Sequence, residues 1–389
     1  MLSLLLAIIY ISFISLGLPD SLLGSAWPSM YGGLNVPLSY AGIVSVLIAV
    51  GTIVSSLFSV KVIRKFGTGK VTAISVLMTA LALFGFSISH SFIALCIWTI
   101  PYGLGAGAVD TALNNFVALH YKARHMSWLH CFWGVGASIG PNIMGYYLTG
   151  NLGWNSGFRA VGLIQAALTA ILFISLPLWK NTALSKGEEH KAVKSLKLKE
   201  LPLIKGARPA MLAFLLYCGL ESTTGLWGST YMVAAKGLSS DAAAKWISMF
   251  YLGITGGRFL SGFITMKLSS RSMIRLGQAI ALVGTVVLLL PLPTYSIYIG
   301  FVLIGLGCAP IYPSLMHTTP ENFGREQSQA MMGIQTACAY LGATLAPPLA
   351  GLLVERVSVK LYPLLLLTMV VLMIVAVERL YGGKRNFEA

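Results

Sequence analysis

The chain has 389 residues, of which 56% are hydrophobic and only 10% are charged. A soluble domain carries about 25% charged residues, and so few charges do not cover the surface of a soluble protein of this length. Composition therefore excludes most cytosolic enzymes and disordered proteins. A net charge of +15 would favour a nucleic-acid partner for a soluble chain, but here the basic residues lie in short gaps between apolar runs. We expect an all-α membrane protein and no nucleic-acid partner.

Twelve apolar runs of about 20 residues, the length that crosses the hydrocarbon core of a bilayer, follow one another along the chain. The first run lacks the charged start and the cleavage site of a signal peptide, so we predict that it is the first spanning helix. The predicted spans are 2–31, 39–60, 71–89, 92–120, 127–149, 157–179, 209–234, 243–265, 273–291, 295–317, 328–353 and 361–379.

The connection at 180–207 is long and rich in lysine, whereas the other connections are short. It separates the spans into two groups of six. The sequence therefore predicts an N-terminal six-helix bundle at 1–179, a cytoplasmic linker at 180–207 and a C-terminal six-helix bundle at 208–389.

Basic residues determine the predicted orientation. With both termini in the cytoplasm, 21 of the 27 Lys and Arg residues fall on the cytoplasmic side, five fall outside, and Arg258 lies within a span. Cytoplasmic loops of membrane proteins carry such an excess of Lys and Arg. We predict a multi-pass protein of the cell membrane with cytoplasmic N- and C-termini, in contact with anionic lipid.

The two halves of the chain resemble each other in three places. Residues 20–31 and 221–231 share an acid, Ser, Gly, Trp, Ser and Tyr, with one residue of slippage. Three matches between spans six apart predict parallel repeats about an axis along the membrane normal, with the substrate site at the midplane between the halves. The other two matches are a Gly-Leu-Gly run in spans 4 and 10, beginning at Gly103 and Gly305, and a Gly-Pro-Gly spacing in spans 5 and 11, beginning at Gly136 and Gly342.

Ionisable side chains inside hydrocarbon are costly and mark functional positions. Asp110 has no Lys or Arg within one helical turn, and an isolated carboxyl in a medium of low dielectric can carry a proton. Pro19 is expected to interrupt the first span beside Asp20, while Arg258 is expected to form a structural ion pair or to snorkel. We predict proton coupling at Asp20, Asp110, Glu221 and His130; for each, a structural hydrogen-bond network is the open alternative.

Hydroxylated solutes need groups that both donate and accept hydrogen bonds, as amides do, and flat apolar faces, as aromatic rings provide. Aromatic residues near span ends also act as interfacial anchors, which stays an alternative. Gln165 is a further amide within a span. The predicted substrate-binding residues are Asn114, Asn115, Trp133, Asn142, Trp227, Tyr231, Tyr312 and Gln335.

The sequence contains no P-loop and no HExxH motif. Its five cysteines are well separated and lie in apolar runs, which favours neither disulfides nor a zinc site. We predict no enzymatic activity, no catalytic or metal site and no cofactor. A proton is the predicted coupling ion, although Na⁺ stays open because carboxylates serve both ions. We expect a monomer whose partners are a small-molecule substrate and membrane lipid.

The arrangement of six spans, a basic linker and six further spans, with a basic loop between spans 2 and 3, resembles the major facilitator superfamily. The family's signature in that loop is Gly-x-x-x-Asp-Arg-x-Gly-Arg-Arg. Residues 59–67 read Ser-Val-Lys-Val-Ile-Arg-Lys-Phe-Gly, which keeps the Arg and the Gly but lacks the Asp. The resemblance implies twelve transmembrane helices in two pseudo-symmetric six-helix bundles, and transport by alternating access.

Within that superfamily, the chain is similar to the fucose permease-like branch of proton-coupled sugar symporters. Residues 110–114, Asp-Thr-Ala-Leu-Asn, resemble the branch's Glu-Thr-Ala-Ala-Asn, whose acid handles the proton and contacts the substrate. Asp20 resembles the branch's first-helix acid, whereas His130 and Trp133 stand where the branch tends to carry Gln and Asn. The resemblance implies proton-coupled symport of a small hydroxylated solute, in the first place a hexose. Further similar runs are 217–221, with Trp227, and 309–313.

Two alternative functions stay open. Residues 136–145 resemble the fifth-helix signature of proton-coupled drug antiporters but lack its final Gly pair. They leave open an exporter of drugs or hydrophobic metabolites. A non-transporting membrane sensor is the third hypothesis, and the lack of any soluble domain argues against it.

Overall fold

The computed structural model describes residues 2–37, 40–150, 152–179, 200–238, 240–291 and 293–382. Within these ranges the chain is helical and contains no strand. The helices are α1 (Leu2–Asp20), α2 (Leu22–Met30), α3 (Ala41–Phe66), α4 (Thr68–Ser87), α5 (Phe92–His120), α6 (Ala123–Thr149), α7 (Gly153–Ile174), α8 (Ala207–Lys236), α9 (Ser240–Ile264), α10 (Ser270–Leu289), α11 (Tyr295–His317), α12 (Thr319–Phe323), α13 (Arg325–Arg356) and α14 (Tyr362–Gly382), with short 3₁₀ helices at Leu201–Leu203 and Val359–Leu361.

Ten stretches of these helices are long and apolar enough to cross a membrane, the first being Leu4–Trp27 across α1 and α2. The remaining two predicted spans are α6 and α8, which have 27 and 30 residues and therefore the required length. They are more polar because α6 carries Arg124 and His125 in its first turn and α8 contains the polar run 221–224. The prediction of an all-α chain with twelve spans is confirmed.

The first span is broken at Ser21, between α1 and α2, two positions after Pro19. Proline has no backbone N–H, so the carbonyl of Ser15, four residues before Pro19, loses its helical partner. Gln165 on α7 replaces that partner: its side-chain amide donates to Ser15 O, and its Oε1 accepts from the Ser15 hydroxyl at 2.5 Å. The predicted interruption is present, and Gln165 stabilises it.

The chain forms two compact units. The first comprises Met1–Phe116 and Leu129–Ser195, and the second comprises Val117–Trp128 and Leu196–Ala389. In the first unit α4 packs on α7. In the second, α8 packs on α13 and α14, and α11 packs on α9 and α10.

The predicted cytoplasmic linker lies mostly outside the described residues, which do not include 180–199. The same is true of the basic residues Lys384 and Arg385 near the end of the chain. The predicted limits 1–179, 180–207 and 208–389 therefore stay a prediction.

Both units use the same glycine contacts between helices. In the first unit, a Cβ on Gly103 of α5 would lie 2.4 Å from the carbonyl oxygen of Ile48 on α3. In the second unit, a Cβ on Gly305 of α11 would lie 2.2 Å from the carbonyl oxygen of Phe250 on α9. No larger residue fits at either position, and small residues of this kind let membrane helices approach closely.

A second pair of glycines repeats in the same way. Gly136 on α6 faces the carbonyl oxygen of Ile14 on α1, and Gly342 on α13 faces that of Leu215 on α8; a Cβ would lie 2.0 Å from each oxygen. Ile14 and Leu215 both lie six residues before the acid of their span, so this contact places the two acids at equivalent positions. The predicted internal repeat is confirmed, and helix packing accounts for the first glycine of the Gly-Pro-Gly spacing in each half.

Candidate functional site

Asp20 is the last residue of α1, directly before the break in the first span. Both of its carboxylate oxygens accept hydrogen bonds. Trp133 Nε1 on α6 donates to Oδ2 at 2.9 Å, and the Tyr102 hydroxyl on α5 donates to Oδ1 at 3.1 Å. The Asp20 side chain is exposed, and each oxygen keeps lone pairs for a further donor. Asp20 can therefore take up a proton or accept a hydrogen bond from a ligand.

Asp110 lies on α5 and is buried, with 7% of its surface exposed. Asn114, one turn further along α5, donates from Nδ2 to Asp110 Oδ1 at 2.9 Å and to the Asp110 backbone oxygen at 3.0 Å. Asn114 Oδ1 in turn lies 3.0 Å from His130 Nε2 on α6. These three predicted residues form one buried hydrogen-bonded chain within the first unit.

Neither Asp20 nor Asp110 forms an ion pair with a Lys, Arg or His side chain that the structure describes; the ion pairs there include Glu221–Arg258 and Arg275–Glu378. A charged carboxylate in a membrane span is costly without a cation. Both groups can therefore change protonation state without breaking an ion pair. The described residues also contain no group of three His, Cys, Asp or Glu side chains placed to hold a metal ion.

Glu221 on α8, by contrast, has a cationic partner. Arg258 Nη2 on α9 lies 3.5 Å from Glu221 Oε2 and donates to the Tyr217 hydroxyl at 3.4 Å. Only 5% of the Arg258 side chain and 20% of the Glu221 side chain are exposed. The expectation of a structural ion pair at Arg258 is confirmed, and its partner is one of the predicted acids.

The difference between the two units has a simple origin in the sequence. Gly51 on α3 and Gly253 on α9 make the same contact with the Gly-Leu pair of α5 and α11. Arg258 lies five residues after Gly253, and Ser56 lies five residues after Gly51. Ser56 is buried and donates its hydroxyl hydrogen to a backbone oxygen of α5 at 3.3 Å. The first unit thus has a serine where the second has its buried cation.

The other predicted substrate-binding residues of the first unit have different surroundings. Trp133 is joined to Asp20, and Asn115, which follows Asn114 in the chain, is half-buried. Asn142 is exposed, and its Nδ2 donates to Ser138 O of the same helix at 2.7 Å. Trp133 is therefore the predicted aromatic residue that the structure brings to an acid.

In the second unit, two of the predicted aromatic residues donate hydrogen bonds to neighbouring helices. Trp227 Nε1 donates to Pro347 O at 2.8 Å, and the Tyr231 hydroxyl donates to Leu288 O at 3.2 Å. These bonds hold both side chains against the protein backbone.

The remaining two predicted residues of the second unit also contact protein groups. Gln335 is buried, and its Oε1 accepts from the Thr319 hydroxyl at 2.9 Å. Tyr312 packs edge-on against Phe214, with ring centroids 5.1 Å apart, and also lies against Tyr217. A substrate role for these residues stays a prediction.

Sequence reasoning missed two residues of these clusters, Tyr102 and Ser56, and identified Tyr217 only as part of the similar run 217–221. Nothing in the sequence distinguishes Tyr102 from aromatic residues that only pack. Ser56 could have been identified from the sequence, because an alignment of Gly51 with Gly253 places Ser56 at the position that corresponds to Arg258. That alignment would also have predicted that the acids of the two halves differ in their electrostatic surroundings.

Comparison with known proteins gives the family. The sequence model of the Major Facilitator Superfamily matches residues 9–294 and 210–386 of the chain. Bypass of stop codon protein 6 of Saccharomyces cerevisiae is 23% identical over 93% of this chain and 79% of its own length. The cis,cis-muconate transport protein of Acinetobacter baylyi is 22% identical over 87% and 84%, and the glucose/mannose transporter GlcP of Bacillus subtilis is 22% identical over 78% and 77%.

Solved structures share the fold at low identity. The fucose:proton symporter FucP of E. coli superposes with a TM-score of 0.73 at 16% identity, over 97% of each chain. A bacterial homologue of the iron transporter ferroportin superposes with a TM-score of 0.78 at 13% identity, over 97% of this chain and 99% of that one.

Twelve spanning helices in two repeated bundles, with acids inside the spans, define a multi-pass membrane transporter rather than an enzyme. The chain belongs to the Major Facilitator Superfamily. The predicted fold, two pseudo-symmetric six-helix bundles, is confirmed.

Proposed function

We propose that the protein is a proton-coupled symporter that moves a small hydroxylated solute, in the first place a hexose, across the cell membrane by alternating access. The distribution of Lys and Arg supports cytoplasmic N- and C-termini. The observation that carries the proposal is that Asp20 and Asp110 lie within spans and have no cationic partner among the described residues.

The proposal assigns the transported proton to Asp20 and Asp110. A carboxyl in a membrane span without a cation gains from protonation when its surroundings become less polar. Glu221 is ion-paired with Arg258, and breaking a buried pair of this kind is strongly unfavourable. Glu221 therefore supports the second unit, and the charge that changes during the cycle belongs to the first unit.

A hydroxylated substrate fits the surroundings of Asp20. Its carboxylate accepts hydrogen bonds, and the indole of Trp133 and the phenol of Tyr102 lie directly beside it. A carboxylate together with an aromatic face offers both a hydrogen-bond acceptor and an apolar surface to a sugar ring. Among the proteins that this chain resembles are a fucose:proton symporter and a glucose/mannose transporter.

The same comparisons include a transport protein for cis,cis-muconate, a dicarboxylate. A dicarboxylate needs cationic or strong donor groups at its site, and the buried Arg258 is already bonded to Glu221. The exporter alternative rested on residues 136–145, of which Gly136 and Gly140 contact α1. Helix packing is therefore sufficient to account for these two glycines of the motif.

The test is a substrate panel with the purified protein in proteoliposomes. The panel holds hexoses, dicarboxylates and hydrophobic amines, each with and without an inward proton gradient, and with Na⁺ replaced by choline. We expect saturable uptake of a hexose that requires the proton gradient and not Na⁺. Uptake that is insensitive to the proton gradient, or that occurs for the amines alone, would contradict the proposal.

A further inference from the structure

The orientation of the Asn114 side-chain amide follows from its partners. One end of the amide lies 3.0 Å from the backbone oxygen of Asp110, and a backbone carbonyl oxygen only accepts hydrogen bonds. That end is therefore the NH₂ group, and it also donates to Asp110 Oδ1 at 2.9 Å. Both hydrogens of the amide go to Asp110, and Oδ1 of the amide faces His130.

The orientation of Asn114 determines the state of one histidine nitrogen. Asn114 Oδ1 is an acceptor, so His130 Nε2, 3.0 Å away, carries a hydrogen and donates it. The Nε2 hydrogen is present both in this neutral tautomer and in the charged ring, so the bond persists in either state. The ring is buried, with 6% exposed, and packs edge-on against Phe13 at 5.4 Å between centroids.

We propose that His130 is a positioning residue: its Nε2–H holds the amide of Asn114 so that both amide hydrogens stay on Asp110. This inference deepens the proposed function, because Asp110 is one of the proposed proton sites. Sequence reasoning assigned His130 a proton of its own and Asn114 a contact with substrate. The geometry points instead to an indirect effect: His130 fixes the orientation of the Asn114 amide, and that amide hydrogen-bonds Asp110.

Without the His130 donor, the amide of Asn114 can rotate and place its oxygen towards Asp110. The carboxylate then loses a hydrogen bond that favours its charged form. Among the described residues, the carboxylate of Asp20 also acts on Asp110, and it remains unchanged in the variants below. The expected consequence is that Asp110 binds its proton at higher pH.

The experiment is an infrared titration of the full-length protein in nanodiscs, which follows the carboxyl band that Asp110→Asn removes. It compares His130→Gln, which keeps a terminal NH donor, with His130→Leu and His130→Met, which have none. We expect the midpoint of His130→Gln to match the unsubstituted protein, and the midpoints of the two donor-free variants to rise by about one pH unit.

A double variant tests whether His130 acts through Asn114. If it does, His130→Leu/Asn114→Leu titrates at the same pH as Asn114→Leu alone. Additive shifts, an unchanged midpoint in both donor-free variants, or a His130→Gln midpoint like that of His130→Leu would overturn the proposal. So would failure of both donor-free variants to fold, since His130 would then be a packing residue. The titration needs no substrate, so its outcome is independent of whether uptake proves to be proton-coupled.

Discussion

The indole of Trp133 on α6 donates a hydrogen bond of 2.9 Å to the carboxylate of Asp20 on α1. Two glycines bring these helices together: a Cβ on Gly17 would lie 2.1 Å from Trp133 O, and one on Gly136 would lie 2.0 Å from Ile14 O. Close backbone packing therefore sets the geometry of an acid in the proposed proton site.

Trp133→Phe removes the donor and keeps an aromatic ring. Without this donor the Asp20 carboxylate is no longer held in place to accept a hydrogen bond from the substrate. A hydrogen bond to a charged group contributes roughly 1.5–3 kcal/mol, so we expect the half-saturating substrate concentration in uptake assays to rise about tenfold or more. Tyr102→Phe should act in the same direction.

The control is Trp154→Phe on α7, whose ring packs edge-on against Phe158 and does not contact Asp20. It should leave the half-saturating concentration unchanged. Wild-type kinetics in both Trp133→Phe and Tyr102→Phe would show that the two donors have no part in substrate binding.

The buried ion pair of the second unit makes a prediction about stability. Glu221→Leu leaves the guanidinium of Arg258 buried without its acid, which should lower the free energy of unfolding by about 3–5 kcal/mol. The double variant Glu221→Leu/Arg258→Leu removes both charges and should recover most of the loss. Thermal unfolding of the purified protein in detergent measures both.

The matched control is the pair Arg275–Glu378, which is bidentate at 2.7 and 2.6 Å but about half exposed. Exposed ion pairs contribute little, so Glu378→Leu should change the unfolding temperature far less than Glu221→Leu does. A double variant at Glu221 and Arg258 that is less stable than Glu221→Leu would show that the pair itself stabilises the fold.

Glycine contacts predict which small residues are required. In Gly136→Ala, the new Cβ meets a backbone oxygen of α1, and the helices must separate at a cost of about 1–3 kcal/mol. Gly24 on α2 has no heavy atom within 4 Å of the corresponding position. Gly24→Ala should be neutral or stabilise by up to about 1 kcal/mol through helix propensity. Equal unfolding temperatures for the two variants would refute the packing argument.

His125 predicts a pH dependence of stability. His125 lies in the first turn of α6, ahead of the predicted span at 127–149. Burial and the charges of Arg124 and Lys122 lower the pKa of His125 below its ordinary 6.5. Arg124 Nε also donates to His125 Nε2 at 3.3 Å, which requires that nitrogen to be unprotonated.

The folded protein therefore prefers neutral His125, whereas the unfolded chain takes up a proton near pH 6.5. The stabilisation is complete above pH 6.5 and is lost as the pH falls through the lower folded value. Unfolding temperatures measured from about pH 8 to about pH 5 should fall at the acid end, and His125→Gln should reduce that fall. An identical pH profile in His125→Gln would contradict the assignment.

Much of the fold follows from the sequence alone. Runs of apolar residues predicted the spans, and Pro19 predicted the break in the first of them. The internal repeat could be recognised in the sequence because no residue larger than glycine fits at positions 103 and 305, where two helices cross. Gly103 and Gly305 therefore occupy matching positions in the two halves. α6 and α8 are less apolar than the other spans, because they carry polar residues such as His130 and Glu221.

The site could be predicted only in part. The energetic cost of an acid within a span identified Asp20, Asp110 and Glu221 as candidates. Whether each acid has a cationic partner depends on which helices are in contact. The contact of α9 with α8 gives Glu221 a cation, whereas Ser56 at the equivalent position leaves Asp20 without one. The role of Asn114 depends on the direction of its amide, which spacing along a helix does not determine.

The most direct test of proton coupling through the first unit is the pH of the medium around lightly buffered proteoliposomes when substrate is added. The unsubstituted protein and Glu378→Gln should make the external medium more alkaline in proportion to solute uptake. Asp110→Asn should exchange labelled for unlabelled substrate without any pH change. Solute uptake by the unsubstituted protein with no alkalinisation, or an unchanged proton signal in Asp110→Asn, would contradict the account.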